Sequence, residues 1–362
     1  MKDERIYQLD LFRFIAALSV VCFHYFHMGP FFGLYATPAR SFEPVAKYGY
    51  LGVQAFFIIS GFVIAMSANG KSARAFLRGR AVRLLPLFWV ACLLTFAVTS
   101  CAGPAALKVG ISSLAGSLIM LPAVVHQLTY VDGVYWTLAF EWIFYAVIAL
   151  TLTTGLYEQH LNKLLSGWLA VSAIMLLIPG KHGLLRLLTV AEYSPYFVAG
   201  VCFYHLYTRR AAFADLFNLA LGFMLAIKWS QKHVQEFQSI YPLSETVVVG
   251  LVCVMFVAFL LLAAGKLECL NRKTFGPLGA LTYGLYLTHQ NIGYVILGAS
   301  GATIAPSVWR VAAVSGGALV LAILLHRYVE QPVASLLRVK RGRSSRPGWQ
   351  PLNLDDVRFD HE

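Results

Sequence analysis

The amino-acid sequence predicts an all-α fold, a polytopic integral membrane bundle of about ten transmembrane helices with both termini cytoplasmic. Three observations predict it. Of 362 residues, 58% are hydrophobic and 13% are charged, with a mean hydropathy of +0.66, whereas soluble domains hold roughly 25% charged residues. The apolar residues come in blocks that approach or reach the roughly 17 to 25 residues a spanning helix needs, not in the alternating runs of a membrane barrel. The basic residues, finally, fall unevenly along the chain in the way an even number of spans requires.

The expected spans are 11–28, 49–66, 84–100, 134–154, 165–179, 193–207, 214–229, 244–264, 275–299 and 307–326. The opening MKDERIYQLDLFRF mixes acids with bases, and no small-residue cleavage site follows its apolar run. It therefore reads as a retained first helix, not a removed signal peptide. Segments 165–179 and 193–207 are short, and 214–229 is bounded by Asp215 and Lys228. The apolar stretch 109–125 is interrupted by Gly110, Gly116 and Pro122, which makes it a re-entrant or surface helix on the outer side. With the N-terminus inside, 20 Lys and Arg fall on cytoplasmic segments and 8 on outer loops, the latter including Lys47, Lys181 and Arg310, while Arg13 lies inside the first span.

That asymmetry assigns the net charge of +12 to topology, and nucleic acid is not an expected partner. Residues 1–333 are expected to form the membrane-embedded domain. Residues 334–362 are expected to be a basic, disordered cytoplasmic tail whose start faces anionic lipid. The six cysteines show no metal-ligand spacing, and no HExxH, Walker, GxGxxG or nucleophile-elbow context is present. No metal is expected.

Ionisable side chains inside spans cost at least roughly 2.5–3.5 kcal/mol at a helix centre, so each needs a partner, a cavity or a task. The first span carries Asp10, Arg13, His24 and His27. Arg13 and His24 share one helix face about 16 Å apart along the axis. Either they form a binding cation below and a proton-handling or nucleophilic group above, or Arg13 pairs with Asp10 and His24 satisfies a hydrogen bond. Arg80 and Arg83, three apart before the third span, have the geometry to clamp a phosphate, though a cytoplasmic loop would be basic in any case. Glu141 lies about seven residues into the fourth span, at a depth close to that of His24, so carboxylate and imidazole could meet. Tyr283, Tyr286 and His289 step along one strip of the ninth span, as cavity lining or as interfacial aromatics with one satisfied histidine.

Taken together these segments resemble acyltransferase family 3, the multi-span bacterial O-acyltransferases. LDLFRFIAALSVVCFH resembles the family's opening motif, YLGVQAFFIISGFVI its second-span Ser-Gly signature and RAVRLLPLFW its R-x-x-R-x-x-P motif. WTLAFEWIFY, LTYGLYLTH and RYVEQP resemble three later motifs, with Thr137 and Thr282 in place of the more usual Ser.

The resemblance implies transfer of an acyl group, usually acetyl, from cytoplasmic acyl-CoA to an acceptor hydroxyl on a surface carbohydrate or small molecule, in a bacterial inner membrane. It implies His24 as the catalytic imidazole and Glu141 as an essential carboxylate. Arg13, Arg80 and Arg83 would hold the donor, acetyl-CoA, or keep the site in order, and Asp10, Trp136, Tyr283, Tyr286 and His289 are expected to line the site. Only a short tail follows the last span, so the chain would act alone or with separate polysaccharide-synthesis partners. Glu141 is expected, from depth alone, to orient His24 in the manner of a triad's third member. The rival readings are a transporter or flippase for a lipid-linked sugar or organic anion, using the same buried groups, and a membrane scaffold or sensor.

Overall fold

The computed structural model of the protein describes residues 5–125, 127–178, 183–238 and 240–339. Lys2, Lys181 and the tail beyond Val339 lie outside the described residues, and the start of the expected tail continues a helix, Gln331–Val339. No strand occurs among the described residues.

The long helices in chain order are α1 (Tyr7–Phe23), α2 (Gly52–Ala68), α3 (Ala73–Ala102), α4 (Trp136–Thr153), α5 (Leu156–Leu177), α6 (Ser194–Tyr207), α7 (Phe213–Phe237), α8 (Glu245–Ala263), α9 (Gly276–Gly298) and α10 (Val308–Leu325). Their starts follow local chemistry. The hydroxyls of Ser72, Ser244 and Ser307 accept from the backbone N–H three residues on, capping α3, α8 and α10, which satisfies one otherwise orphaned donor at each end. Because Ser72 sets the start, α3 begins at Ala73, ahead of the expected 84, and Arg80 and Arg83 lie inside the helix. Gly155, at φ +71°, turns α4 into α5 in a left-handed conformation that side chains disfavour. The stretch after α3 forms the short helix Ile111–Leu118 between 3₁₀ turns at Ala105–Leu107 and Leu121–Ala123.

Among the described residues, eight helical segments are long and apolar enough to cross a membrane, and α6 and α9 are the long helices outside that set. The sequence expectation of about ten spans includes both. The difference has a physical cause. At 14 residues, α6 is about 21 Å long against a hydrocarbon core of about 30 Å. α9 has the length but carries Thr282, Tyr286, Thr288, His289, Gln290 and Asn291, all buried. Hydropathy measures fitness for lipid, and these two helices meet protein.

α6 is buried throughout Ser194–Phe203 and crosses α2 at backbone contact. A Cβ on Gly61 would strike the Phe197 carbonyl, and one on Gly200 the Ile58 carbonyl, the small-residue crossing that lets membrane helices approach closely. α9 packs against α1, α3 and α10, with Gly279 against the Asp10 carboxylate and Gly293 against the Tyr25 hydroxyl. Two π-helical turns, His24–Met28 after α1 and His326–Glu330 after α10, interrupt otherwise regular helices, as such turns often do at functional sites.

Candidate active site

The described residues form two cavities that bear on the site. The first, about 130 Å³, is lined by Arg5, Arg13, Arg80 and Arg83 together with Asp10, Glu141 and Glu330. Arg5 Nε donates to Asp10 Oδ2 at 2.6 Å, and Arg13 Nη1 lies 3.5 Å from Asp10 Oδ1. The expected i,i+3 pair therefore exists, but Arg5 makes the closer contact. Asp10 is almost wholly buried, a position a carboxylate tolerates only when paired. Arg80 donates to the Ser67 hydroxyl and lies 5.6 Å from the ring centroids of both Phe76 and Tyr145. Glu141 accepts from Ser60 Oγ at 2.6 Å and from the Tyr145 hydroxyl. The Ser60-Gly61 pair thus has two tasks: the serine holds Glu141, and the glycine admits α6.

The second cavity, about 470 Å³, is lined by His24, Trp136, Tyr193, Glu192 and Glu236 among others. Arg186 reaches both carboxylates, at 3.2 Å from Glu192 and 3.3 Å from Glu236. Burial pushes the Glu192 carboxyl up from its ordinary value, against the pull of Arg186. Both cavities include Val53 and Tyr286 in their linings. The Tyr286 hydroxyl is held by Thr137 Oγ1 at 2.8 Å and by the Val134 carbonyl at 3.2 Å, so the hydroxyl that Thr137 retains in place of Ser is in use.

His24 opens the π-helical turn, where Nδ1 lies 2.9 Å from both the Val20 carbonyl and His289 Nε2. His289 Nδ1 faces two carbonyls, Leu285 at 3.1 Å and Tyr286 at 2.9 Å. A carbonyl can only accept, so His289 Nδ1 carries hydrogen, and in the neutral ring Nε2 is an acceptor. Both neighbours of His24 Nδ1 are then acceptors. His24 consequently carries its hydrogen on Nδ1, leaving the Nε2 lone pair free of any partner among the described residues.

A strap before α4 fixes α9 beside this pair. Asp132 accepts from Val134 N at 3.2 Å and Asn291 N at 3.0 Å, Asn291 Nδ2 donates to the Val131 carbonyl, and the Tyr135 hydroxyl donates to the Leu287 carbonyl. Asp132 is fully buried, and that burial lifts its carboxyl from 3.8 to about 7 despite the two backbone donors.

A family model described as an acyltransferase domain, acyltransferase family 3, matches residues 6–327. The chain belongs to acyltransferase family 3. It is a multi-pass membrane acyltransferase. No curated protein and no solved structure matches it.

In this acyltransferase the residues singled out from sequence divide between the two cavities. Asp10, Arg13, Arg80, Arg83, Glu141 and Tyr283 line the first, His24 and Trp136 the second, and Tyr286 both, while His289 stands behind His24. One expectation is corrected. Glu141 does not meet His24; its carboxylate is taken by Ser60 and Tyr145 in the arginine-lined cavity. Trp136 shares the cavity of His24 at the start of α4, and Glu141 follows five residues later, about 7.5 Å deeper along the helix.

Sequence reasoning missed the histidine that does meet His24 as its partner. It also missed Tyr145, whose place one turn after Glu141 in WTLAFEWIFY was a signal, and Glu330, held by His326 at 2.8 Å. Asp132 and Glu192 lie outside the expected spans and gave no signal. Among the described residues no group of three or more His, Cys, Asp or Glu could hold a metal ion.

Proposed function

We propose that this acyltransferase moves an acyl group, acetyl in the first instance, from acyl-CoA to a hydroxyl of a carbohydrate or related small acceptor. The chain would cross a bacterial inner membrane ten times, with the arginine end facing the cytoplasm. The observation that carries this reading is the pair of cavities with a shared lining. Guanidiniums gather in one, an imidazole with an open nitrogen faces the other, and Tyr286 and Val53 belong to both.

Arg80 and Arg83 are the groups for the donor's phosphates, since guanidinium binds phosphate bidentately, with Arg13 further along the same path. The nucleotide would rest at the mouth of the first cavity while the acyl-bearing arm runs inward. From Arg13 to His24 the rise is about 16 Å, a distance suited to an extended pantetheine arm. The second cavity, with Trp136 and Tyr193 as flat apolar faces and carboxylates as acceptors, suits a hydroxylated ring.

At the junction His24 Nε2 takes the proton of the acceptor hydroxyl as its oxygen forms a bond to the thioester carbonyl carbon. Collapse of that intermediate breaks the carbon–sulfur bond, and the leaving thiolate recovers the proton from His24. Ester and free thiol result, and the imidazole is restored. Glu141 acts on the donor side, holding Tyr145 under Arg80.

The test is transfer of label from radiolabelled acetyl-CoA into cell-envelope and small-molecule fractions, using membranes with wild type, His24→Ala or Glu141→Gln at matched expression. Label that appears with wild type and falls about 10²- to 10⁴-fold in His24→Ala, the usual scale of general acid–base catalysis, is the expected result. Label unaffected by His24→Ala removes the assignment of His24. No label from any acyl-CoA turns the reading toward transport.

A further inference from the structure

We propose that His289 is the positioning residue of this site, a neutral imidazole that fixes the tautomer and ring orientation of His24 in the place a triad gives to a carboxylate. The inference rests on the acyl-transfer reading for its catalytic consequence, but its structural content stands apart from that reading.

The geometry leaves His289 one arrangement as a neutral ring. Its Nδ1 is anchored to carbonyls of its own helix, Leu285 and Tyr286, so the ring cannot flip without breaking both contacts. Its Nε2 is thereby aimed as an acceptor at His24 Nδ1, 2.9 Å away. His289 is 1% exposed, leaving little room for water to take its place. Its helix is tied on two sides at this level. The Tyr25 hydroxyl donates to the His289 carbonyl at 2.7 Å, and Asp132 accepts from the backbone of Asn291 two residues on. The first tie comes from α1's own π-helical turn, so the element that presents His24 also grips the helix that presents its partner.

The consequence is directional. An imidazole that must collect a proton at Nε2 needs its own hydrogen on Nδ1, and a wrong tautomer can abolish catalysis while the geometry stays intact. The Val20 carbonyl alone could favour the Nδ1–H form, but it lies in the ring's own helix, one turn back. His289 supplies the second, lateral contact that sets which way the ring faces. No proton passes beyond His24, because His289 Nδ1 is committed to carbonyls. His289 acts through His24 and does not need to touch the substrate.

Two measurements test this. In the first, histidine ¹⁵N resonances are recorded for the full chain in nanodiscs, with the His24 signals assigned by their loss in His24→Asn. His24 protonated on Nδ1 in wild type, and a mixture of tautomers in His289→Leu, is the expected result. His24 protonated on Nε2 in wild type, or a His24 signal unmoved by His289→Leu, overturns the proposal, and neither outcome depends on what reaction the protein performs.

The second is steady-state acetyl transfer. His289→Leu lowers kcat about 10- to 100-fold, the scale seen when an orienting partner is lost, with the KM for acetyl-CoA unchanged. His289→Gln, whose side-chain oxygen can accept from His24 Nδ1, recovers most of that loss. Equal loss in the Leu and Gln variants means a packing role and overturns the proposal. Absence of transfer in wild type, with the tautomer as described, overturns the acyl-transfer reading and leaves the positioning of His24 standing.

Discussion

Removing the charge of Glu141 separates the arrangement found here from a triad. In the structure the carboxylate accepts two hydroxyl hydrogen bonds, from Ser60 and Tyr145, and the Tyr145 ring lies beside Arg80. Hydrogen bonds to a charged group contribute about 1.5–3 kcal/mol and neutral ones about 0.5–1.5 kcal/mol. Glu141→Gln keeps the shape and converts both bonds to the weaker kind, a loss of about 1 kcal/mol each. The combined loss, about 2 kcal/mol, corresponds to roughly 30-fold at 1.4 kcal/mol per tenfold, an upper bound on what reaches Arg80. The KM for acetyl-CoA in proteoliposomes is therefore expected to rise up to about 30-fold, with kcat changed little. Tyr145→Phe deletes one bond but keeps the ring, and is expected to produce a smaller rise of the same kind. KM reports donor binding when chemistry is slow relative to dissociation, which single-turnover rates check. A large fall in kcat with KM unchanged would refute the reasoning and restore Glu141 as a partner of His24.

Arg80→Lys is expected to raise the KM for acetyl-CoA despite conserving charge, because an ammonium cannot reproduce a planar fork against phosphate; equal KM values in initial-rate assays would contradict this. Gly61→Ala and Gly200→Ala each drive a Cβ into a backbone carbonyl of the opposing helix. Overpacking of this kind costs about 1–3 kcal/mol, to be read as a lower thermal midpoint in detergent, whereas Gly250→Ala, which meets open space, is expected to leave the midpoint unchanged. Asp132 gives a pH signature. Its carboxyl is raised from 3.8 to about 7 in the folded protein, so folding holds the proton more tightly than the unfolded chain does. Its contribution to stability is thus intact below about pH 4 and is lost as pH rises toward about 7, by up to about 1.4 kcal/mol per pH unit. Wild type is expected to gain about 2 kcal/mol relative to Asp132→Asn between pH 7 and pH 5, and parallel stability profiles for the two proteins would refute it.

How far the site was legible in the sequence depends on whether a residue's task is written along its own helix or across helices. The face shared by Arg13 and His24, the three-residue steps of Tyr283, Tyr286 and His289, and the spacing of Arg80 and Arg83 are properties of a single helix. The structure places each set along its strip. Glu141 was conspicuous as a buried charge, but its partner was not, because Ser60 lies on another helix and depth alone does not say which way a side chain faces. His289 was visible as a lining residue, and only the crossing of α1 and α9 turns it toward His24. The same contrast separates the ten expected spans from the eight helices fit for lipid by length and composition among the described residues: α6 is short, and α9 carries the polar groups of the site.

The two cavities differ in the charged groups that line them. The first is lined by four guanidiniums, those of Arg5, Arg13, Arg80 and Arg83, against three carboxylates, those of Asp10, Glu141 and Glu330, an excess of one positive charge if all are ionised. Guanidinium groups bind phosphate bidentately, which is the basis for placing an anionic donor in this cavity. Glu192 and Glu236 line the second cavity, and Arg186 pairs with both. Under the proposed function a negatively charged donor suits the first cavity, while the carboxylates of the second would accept hydrogen bonds from a hydroxylated acceptor. Tyr286, anchored by Thr137 and Val134, lines both cavities. As two neutral rings, the His24–His289 pair adds no fixed charge at the place where, in the proposed reaction, donor and acceptor would meet.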